Sequence, residues 1–237
     1  MKLVLAVVAL ALLAGCGGDE ENAAVTVFAA SSLSDVAPAI DPDATVVLGG
    51  SNDLAAQIRD GAEADVFLSA SQAPLEELRA DGVVELPVVF ASNRLVVVVP
   101  ADTPLNITAL VDLTRAGVKL VLGAEGVPIG DYAREALASA GLEEALDRVV
   151  SLEDDVKGVL GKVSLGEADA GIVYTTDAQA AGDDVRSFPV PARYQPDVRY
   201  HAALLTPPSD AAREWVSRLL GAEGTAALDR AGFLPPP

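Results

Sequence analysis

Two serine-headed turns are the groups in this sequence whose types and spacing suit chemistry. Residues 25–30 (Val-Thr-Val-Phe-Ala-Ala) run directly into Ser31 and Ser32, and Asp35 follows three residues after Ser32. A short, apolar, β-rich run reads as a buried strand. Ser-x-x-Asp is a capping pattern, which predicts a helix starting near Leu33. A strand that turns into a helix through small residues presents free backbone N–H groups beside a hydroxyl, a ready anion site. The second turn repeats the device. Residues 45–48 lead into Gly49, Gly50, Ser51 and Asn52, then into a helical run that Gly61 closes. Either turn alone also reads as an ordinary capped helix, with Ser51 as the N-cap of the second. Two such turns from neighbouring strands can converge on one point, and ligands in open α/β sheets sit beyond the carboxyl ends of strands.

Other chemistries find little support. Gly49-Gly50-Ser51-Asn52-Asp53 begins like a nucleophile elbow but lacks its second glycine. Gly161-Lys162 lacks the upstream glycine of a phosphate loop. Gly126-Val127-Pro128-Ile129-Gly130 is not a dinucleotide fingerprint. Asp154 and Asp155 read as helix-start charges favoured by the dipole. Cys16 is the one cysteine, so an intrachain disulfide and a cysteine metal site are excluded, and the one histidine, His201, excludes His-rich metal chemistry. No cofactor is expected. A secreted serine hydrolase using Ser32 or Ser51 would need His201 as its base, and nothing in the sequence brings His201 near either serine.

The chain carries a formal net charge of −19. That argues against nucleic acid and against electrostatic adhesion to anionic lipid. An anion site survives on such a chain if it uses neutral donors and helix ends, with the acidic surface screened over about 8 Å at physiological salt. Aromatic residues make up 4% of the chain, so the core must be built from small aliphatic side chains.

The elements that must position the two turns alternate along the chain. Strands are expected over 25–30, 45–48, 64–70, 94–100, 119–123, 149–152, 170–174 and 199–205. Helices are expected from Leu33, shortened or kinked by Pro38, and over 54–59, 72–80, 131–140, 156–163, 211–220 and 225–231, with a tight loop over 125–130. This alternation predicts the α/β class. Ahead of them, residues 1–15 read as a signal peptide: Lys2, an apolar run too short to span a bilayer, then small residues before Cys16. Leu13-Ala14-Gly15-Cys16 resembles the lipobox of bacterial lipoproteins, with Cys16 lipidated. Residues 16–23 form a tether of small and polar residues.

Six stretches then add up to a family resemblance. They are Val27-Phe28-Ala29-Ala30-Ser31-Ser32-Leu33, Gly50-Ser51-Asn52-Asp53-Leu54-Ala55, residues 61–70, Val127-Pro128-Ile129-Gly130-Asp131-Tyr132-Ala133, Glu153-Asp154-Asp155-Val156 and residues 166–174. In this order they resemble the molybdate-binding proteins of bacterial ABC transporters. The resemblance implies a two-lobed periplasmic-binding-protein type II fold, each lobe a sheet flanked by helices, with an oxyanion in the interlobe cleft. It implies donors from Ser32 and Ser51, from the backbone N–H groups of Ile129 and Val156, and from the Tyr174 hydroxyl. Ser31 and Asn52 are supplementary candidates. On this reading lobe 1 comprises 24–92 and 196–237, and lobe 2 comprises 93–195, with crossovers near 91–94 and 195–198. The protein is expected to be an exported, lipid-anchored monomer, not an enzyme. It would hand molybdate, and tungstate with it, to a permease and its ATPase, and it would touch the membrane only through its anchor. The alternative is the same fold binding sulfate or another tetrahedral oxyanion.

Overall fold

A computed structural model describes residues 24–237. The expected leader, the tether and Cys16 lie outside the described residues. Short β-branched runs bracketed by Gly, Pro and Asp form the strands. In chain order they are β1 (Thr26–Ala30), β2 (Thr45–Gly49), β3 (Val66–Ser69), β4 (Val88–Asn93), β5 (Leu95–Pro100), β6 (Leu120–Gly123), β7 (Val149–Glu153), β8 (Ala170–Tyr174), β9 (Val185–Pro189) and β10 (Val198–Leu204). The helices are α1 (Ala37–Ile40), α2 (Ser51–Arg59), α3 (Ala73–Ala80), α4 (Pro128–Ala140), α5 (Val156–Ser164), α6 (Thr175–Ala181), α7 (Asp210–Leu220) and α8 (Ala222–Arg230).

The strands form two five-stranded sheets, ordered β2-β1-β3-β10-β4 and β7-β6-β8-β5-β9. In the first, β1 is parallel to β2 and β3, while β10 is antiparallel to β3 and β4. In the second, β6 is parallel to β7 and β8, while β5 is antiparallel to β8 and β9. Helices pack on both sheets. The result is the expected two-lobed α/β architecture.

The chain passes from the first sheet to the second through Arg94, the one residue between β4 and β5, and returns between β9 and β10. Gln195 ties these two passages together. Its Nε2 donates to the carbonyls of Leu95 (2.8 Å) and Val190 (2.9 Å), and its Oε1 accepts from Leu95 N (2.8 Å). The core is aliphatic, as the composition requires: Val97, Val98, Leu120, Val121 and Ile172 are fully buried in the second lobe, and Val27, Ala29 and Leu68 in the first.

Several expectations need correction. Ser32 does not cap a helix. Ser31–Leu33 is a single 3-10 turn whose N-cap is Ala30, and the α-helix begins only at Ala37. The reason is competition: the Ser32 hydroxyl is engaged by Tyr200 (2.9 Å). Pro38 falls in the first turn of α1, where no N–H is needed. Ser51 is not an N-cap either. Gly50 holds that position, and Ser51 Oγ accepts from Ala70 N at 3.1 Å. The loop expected over 125–130 ends early, because Pro128 opens α4 and brings Ile129 into the helix's first turn. Three elements went unanticipated. β4 follows Pro87 and merges with the run into β5. β9 is an edge strand with exposed Arg186 and Ser187. α6 is a short helix without an apolar stripe.

Candidate functional site

The carboxyl ends of strands from both sheets face each other across a cleft, and a small cavity lies there. Ala30, Ser31, Ser32, Gly49, Gly50, Ser51 and Ala70 line it from the first lobe. Val127, Pro128, Ile129, Asp155, Val156 and Tyr174 line it from the second. About 20 Å³ of it is open to the centre of a water-sized sphere, where a single ordered water needs about 10–15 Å³. A site of this size suits an inorganic ion rather than a sugar or a peptide. None of these lining residues is Lys, Arg or His.

Helix starts supply much of the polarity. α2 opens at Ser51, α5 at Val156, and Ile129 lies in the first turn of α4. First-turn N–H groups have no acceptor within their own helix and carry the positive end of its dipole. The side chains of Ile129 and Val156 are buried in the aliphatic core, so what these residues offer the cavity is backbone. Asp155 is the N-cap of α5, with Oδ1 accepting from Gly158 N at 2.8 Å.

The hydroxyls are held from behind. Ser51 accepts from Ala70 N, as described, and Ser32 is 2.9 Å from the Tyr200 phenol. Tyr174 ends β8, is buried, and its hydroxyl has no hydrogen-bond partner in the protein. Burial, and then the neighbouring Tyr200 and Tyr132, push its pKa well above the usual phenol range. The group is therefore a protonated donor at neutral pH. Tyr174 sits edge-to-face between Tyr200 (5.8 Å) and Tyr132 (6.5 Å). Tyr132 reaches across the cleft, its hydroxyl 3.4 Å from the Ala70 carbonyl oxygen; burial raises its own pKa to about 12.

The lobes meet closely above the cavity. A Cβ on Gly50 would lie 2.2 Å from the carbonyl oxygen of Asp154, so only glycine permits this approach. Asp53 is brought near Asp154 and Asp155, and burial followed by these two like charges raises its pKa.

The structure thus brings together Ser31, Ser32, Ser51, Ile129, Val156 and Tyr174. Asn52 is not among the lining residues; its Nδ2 donates to Asp53 Oδ1 at 3.0 Å. His201 lines a different cavity with Gln72, Leu75 and Arg79, and has no hydrogen bond to either serine. Sequence reasoning missed Tyr200, which holds Ser32 from behind, and the close approach at Gly50. The available signal for Tyr200 was a phenol at the alternate, inward-facing position of a strand between Arg199 and His201. Among the described residues, no group of three or more His, Cys, Asp or Glu side chains is placed to hold a metal ion.

Two lobes closed over a small cavity of neutral donors define a binding protein for a small solute. The chain belongs to the bacterial extracellular solute-binding protein family, whose model matches residues 25–234. It is 34% identical over 224 residues to the molybdate-binding protein ModA of Mycobacterium tuberculosis, covering 90% of this chain and 85% of that one. Among solved structures, the periplasmic molybdate-binding protein of Azotobacter vinelandii superposes with a TM-score of 0.79 at 21% identity, covering 90% of this chain and all of the other. The sulfate-binding protein SubI of M. tuberculosis superposes with a TM-score of 0.77 at 18% identity, covering 90% of this chain and 86% of that one. These two structural likenesses establish the fold; they do not choose between oxyanions.

Proposed function

We propose that this protein captures molybdate, and tungstate with it, outside the cytoplasm and delivers it to an ABC importer. The observation that carries the reading is the cavity itself, into which neutral donors converge from both lobes with no cationic side chain among its lining residues. Ser32, Ser51 and Tyr174 would donate hydroxyl protons, and Ile129 and Val156 backbone N–H groups. The 34% identity to a molybdate-binding relative supports this choice of oxyanion. Residues 24–92 with 196–237, and residues 93–195, would act as lobes that hinge at the two passages, with closure trapping the ion. The closed form would be what a permease and its ATPase recognise. Cys16, once lipidated, would keep a monomeric receptor at the cell envelope; stable attachment needs more than one acyl chain.

A thermal-shift panel of molybdate, tungstate, sulfate, phosphate and citrate on the mature protein tests the reading. A ligand that binds only the native state stabilises it by RT ln(1 + [L]/Kd), about 2.7 kcal/mol at a hundredfold excess over Kd. Molybdate and tungstate are expected to shift the midpoint most. A larger shift with sulfate would move the assignment to the sulfate reading. A shift with citrate alone would overturn it.

A further inference from the structure

We propose that Asp177 is a positioning residue: it holds and neutralises the Lys157 ammonium behind Ser32, so that hydrogen-bond donors alone hold the ion in the cleft. The inference rests on the reading of the cleft as an oxyanion site.

Lys157 borders the oxyanion cavity in two ways without lining it. Along the chain it follows Val156, which lines the cavity and opens α5. In space it lines a second cavity together with Asp35, Gln179 and Arg230, and Ser32 lines both cavities. Ser32 is thus a shared wall between Lys157 and the ion. A free ammonium behind that wall would act strongly on an anion in the cleft, because protein, not bulk water, separates the two. Lys157 is not free. Its Nζ is 3.0 Å from Asp177 Oδ1. Asp177 lies in the first turn of α6, just beyond Tyr174, and its side chain is fully buried, whereas that of Lys157 is 34% exposed. Asp177 Oδ2 has no hydrogen-bond partner in the protein. Burial pushes the Asp177 pKa up, and Lys157 opposes that push.

Stability alone does not account for this pair. Apolar side chains can often replace a buried ion pair without loss, and a lysine in the first turn of a helix stands at the unfavourable end of the dipole. What the pair achieves is local neutrality beside the cavity. An uncompensated cation there would attract every dianion alike, whatever its size. With Lys157 cancelled, the number and direction of the hydrogen bonds decide which ion is held.

The test is calorimetry with molybdate, a dianion, and with perrhenate, a tetrahedral oxyanion of single charge. Asp177→Asn keeps the shape of the side chain and leaves the Lys157 charge uncompensated. It is expected to tighten molybdate about tenfold and perrhenate about threefold, because Coulomb energy scales with the product of the charges. Asp177→Ala makes the same charge change without an amide to accommodate, and the same rise is expected; circular dichroism checks that both variants fold. Adding Lys157→Gln to Asp177→Asn removes the freed charge and is expected to return both affinities to within about threefold of wild type. A melting temperature lowered by Asp177→Asn with molybdate affinity unchanged or weakened would make the pair a structural one and overturn the proposal. Tightening that survives Lys157→Gln, or that is equal for the two ions, would overturn it as well. A wild-type protein that binds no tetrahedral oxyanion would overturn the functional reading instead, and that result appears in the first titration, before any variant.

Discussion

The two lobes meet the cavity with different chemistry. The first presents side-chain hydroxyls braced from behind, Ser32 by Tyr200 and Ser51 by the Ala70 N–H. The second presents mainly helix starts, at Ile129 and Val156, whose side chains point into the core. The first half is therefore sensitive to the identity of its residues. The second is sensitive to its backbone path, and tolerates apolar residues at an anion site because they contribute no side chain to it. Tyr174 is the exception in the second half, and it resembles the first: a buried hydroxyl that has no partner within the protein.

The sharpest way to break this comparison is to keep the lobes apart. Gly50→Ala places a Cβ against the Asp154 carbonyl oxygen, 2.2 Å away before any shift. Separating the lobes pulls every donor of one half off the ion. Calorimetry is expected to show molybdate affinity reduced by more than about a hundredfold, equivalent to about 2.7 kcal/mol, with circular dichroism unchanged. Next come the hydroxyls. Tyr174→Phe and Ser51→Ala each remove a hydrogen bond to a charged partner, worth about 1.5–3 kcal/mol, so one to two decades of affinity are expected to be lost. Ser51→Ala also leaves the Ala70 N–H without its acceptor and is expected to lower the melting temperature as well; Tyr174→Phe is not.

The opposite result is expected at the helix starts. Val156→Ile and Ile129→Val change the buried side chain by one methylene but keep the backbone donors, so they are expected to change affinity by less than about threefold, with any cost appearing as stability. A tenfold loss there, with stability unchanged, would erase the distinction between the halves. The smallest expected effect concerns Asp53. Its pKa is raised by burial and by Asp154 and Asp155 across the cleft. A carboxyl raised in the folded state destabilises that state when ionised, so the penalty is present above its folded pKa and disappears below about 3.8, its unfolded value. Asp53→Asn is expected to raise the melting temperature slightly at pH 7, and the gain is expected to vanish as the pH falls toward about 3.8.

How much of this was legible beforehand differs between the halves as well. The strand-serine-helix turns are local patterns, and they led directly to Ser32 and Ser51. Their capping roles were misread because the partners that claim those hydroxyls are distant: Tyr200 lies 168 residues from Ser32, and Ala70 lies 19 from Ser51. Long-range competition of this kind leaves no periodicity to read. The helix starts at Ile129 and Val156 were reached only through family resemblance, because a backbone donor imposes no residue type. The α/β class followed from the alternation of strand and helix patterns along the chain. β9 and α6 escaped because an edge strand and a short helix without an apolar stripe carry too weak a pattern.

Anomalous diffraction from molybdenum in crystals of the complex tests the central claim most directly. The account predicts one molybdenum in the cleft, its oxygens accepting from Ser32, Ser51 and Tyr174 and from the N–H groups of Ile129 and Val156, with no lysine or arginine in contact. A molybdenum bound to cationic side chains elsewhere, or a cleft that stays free of it at saturating molybdate, would contradict the account.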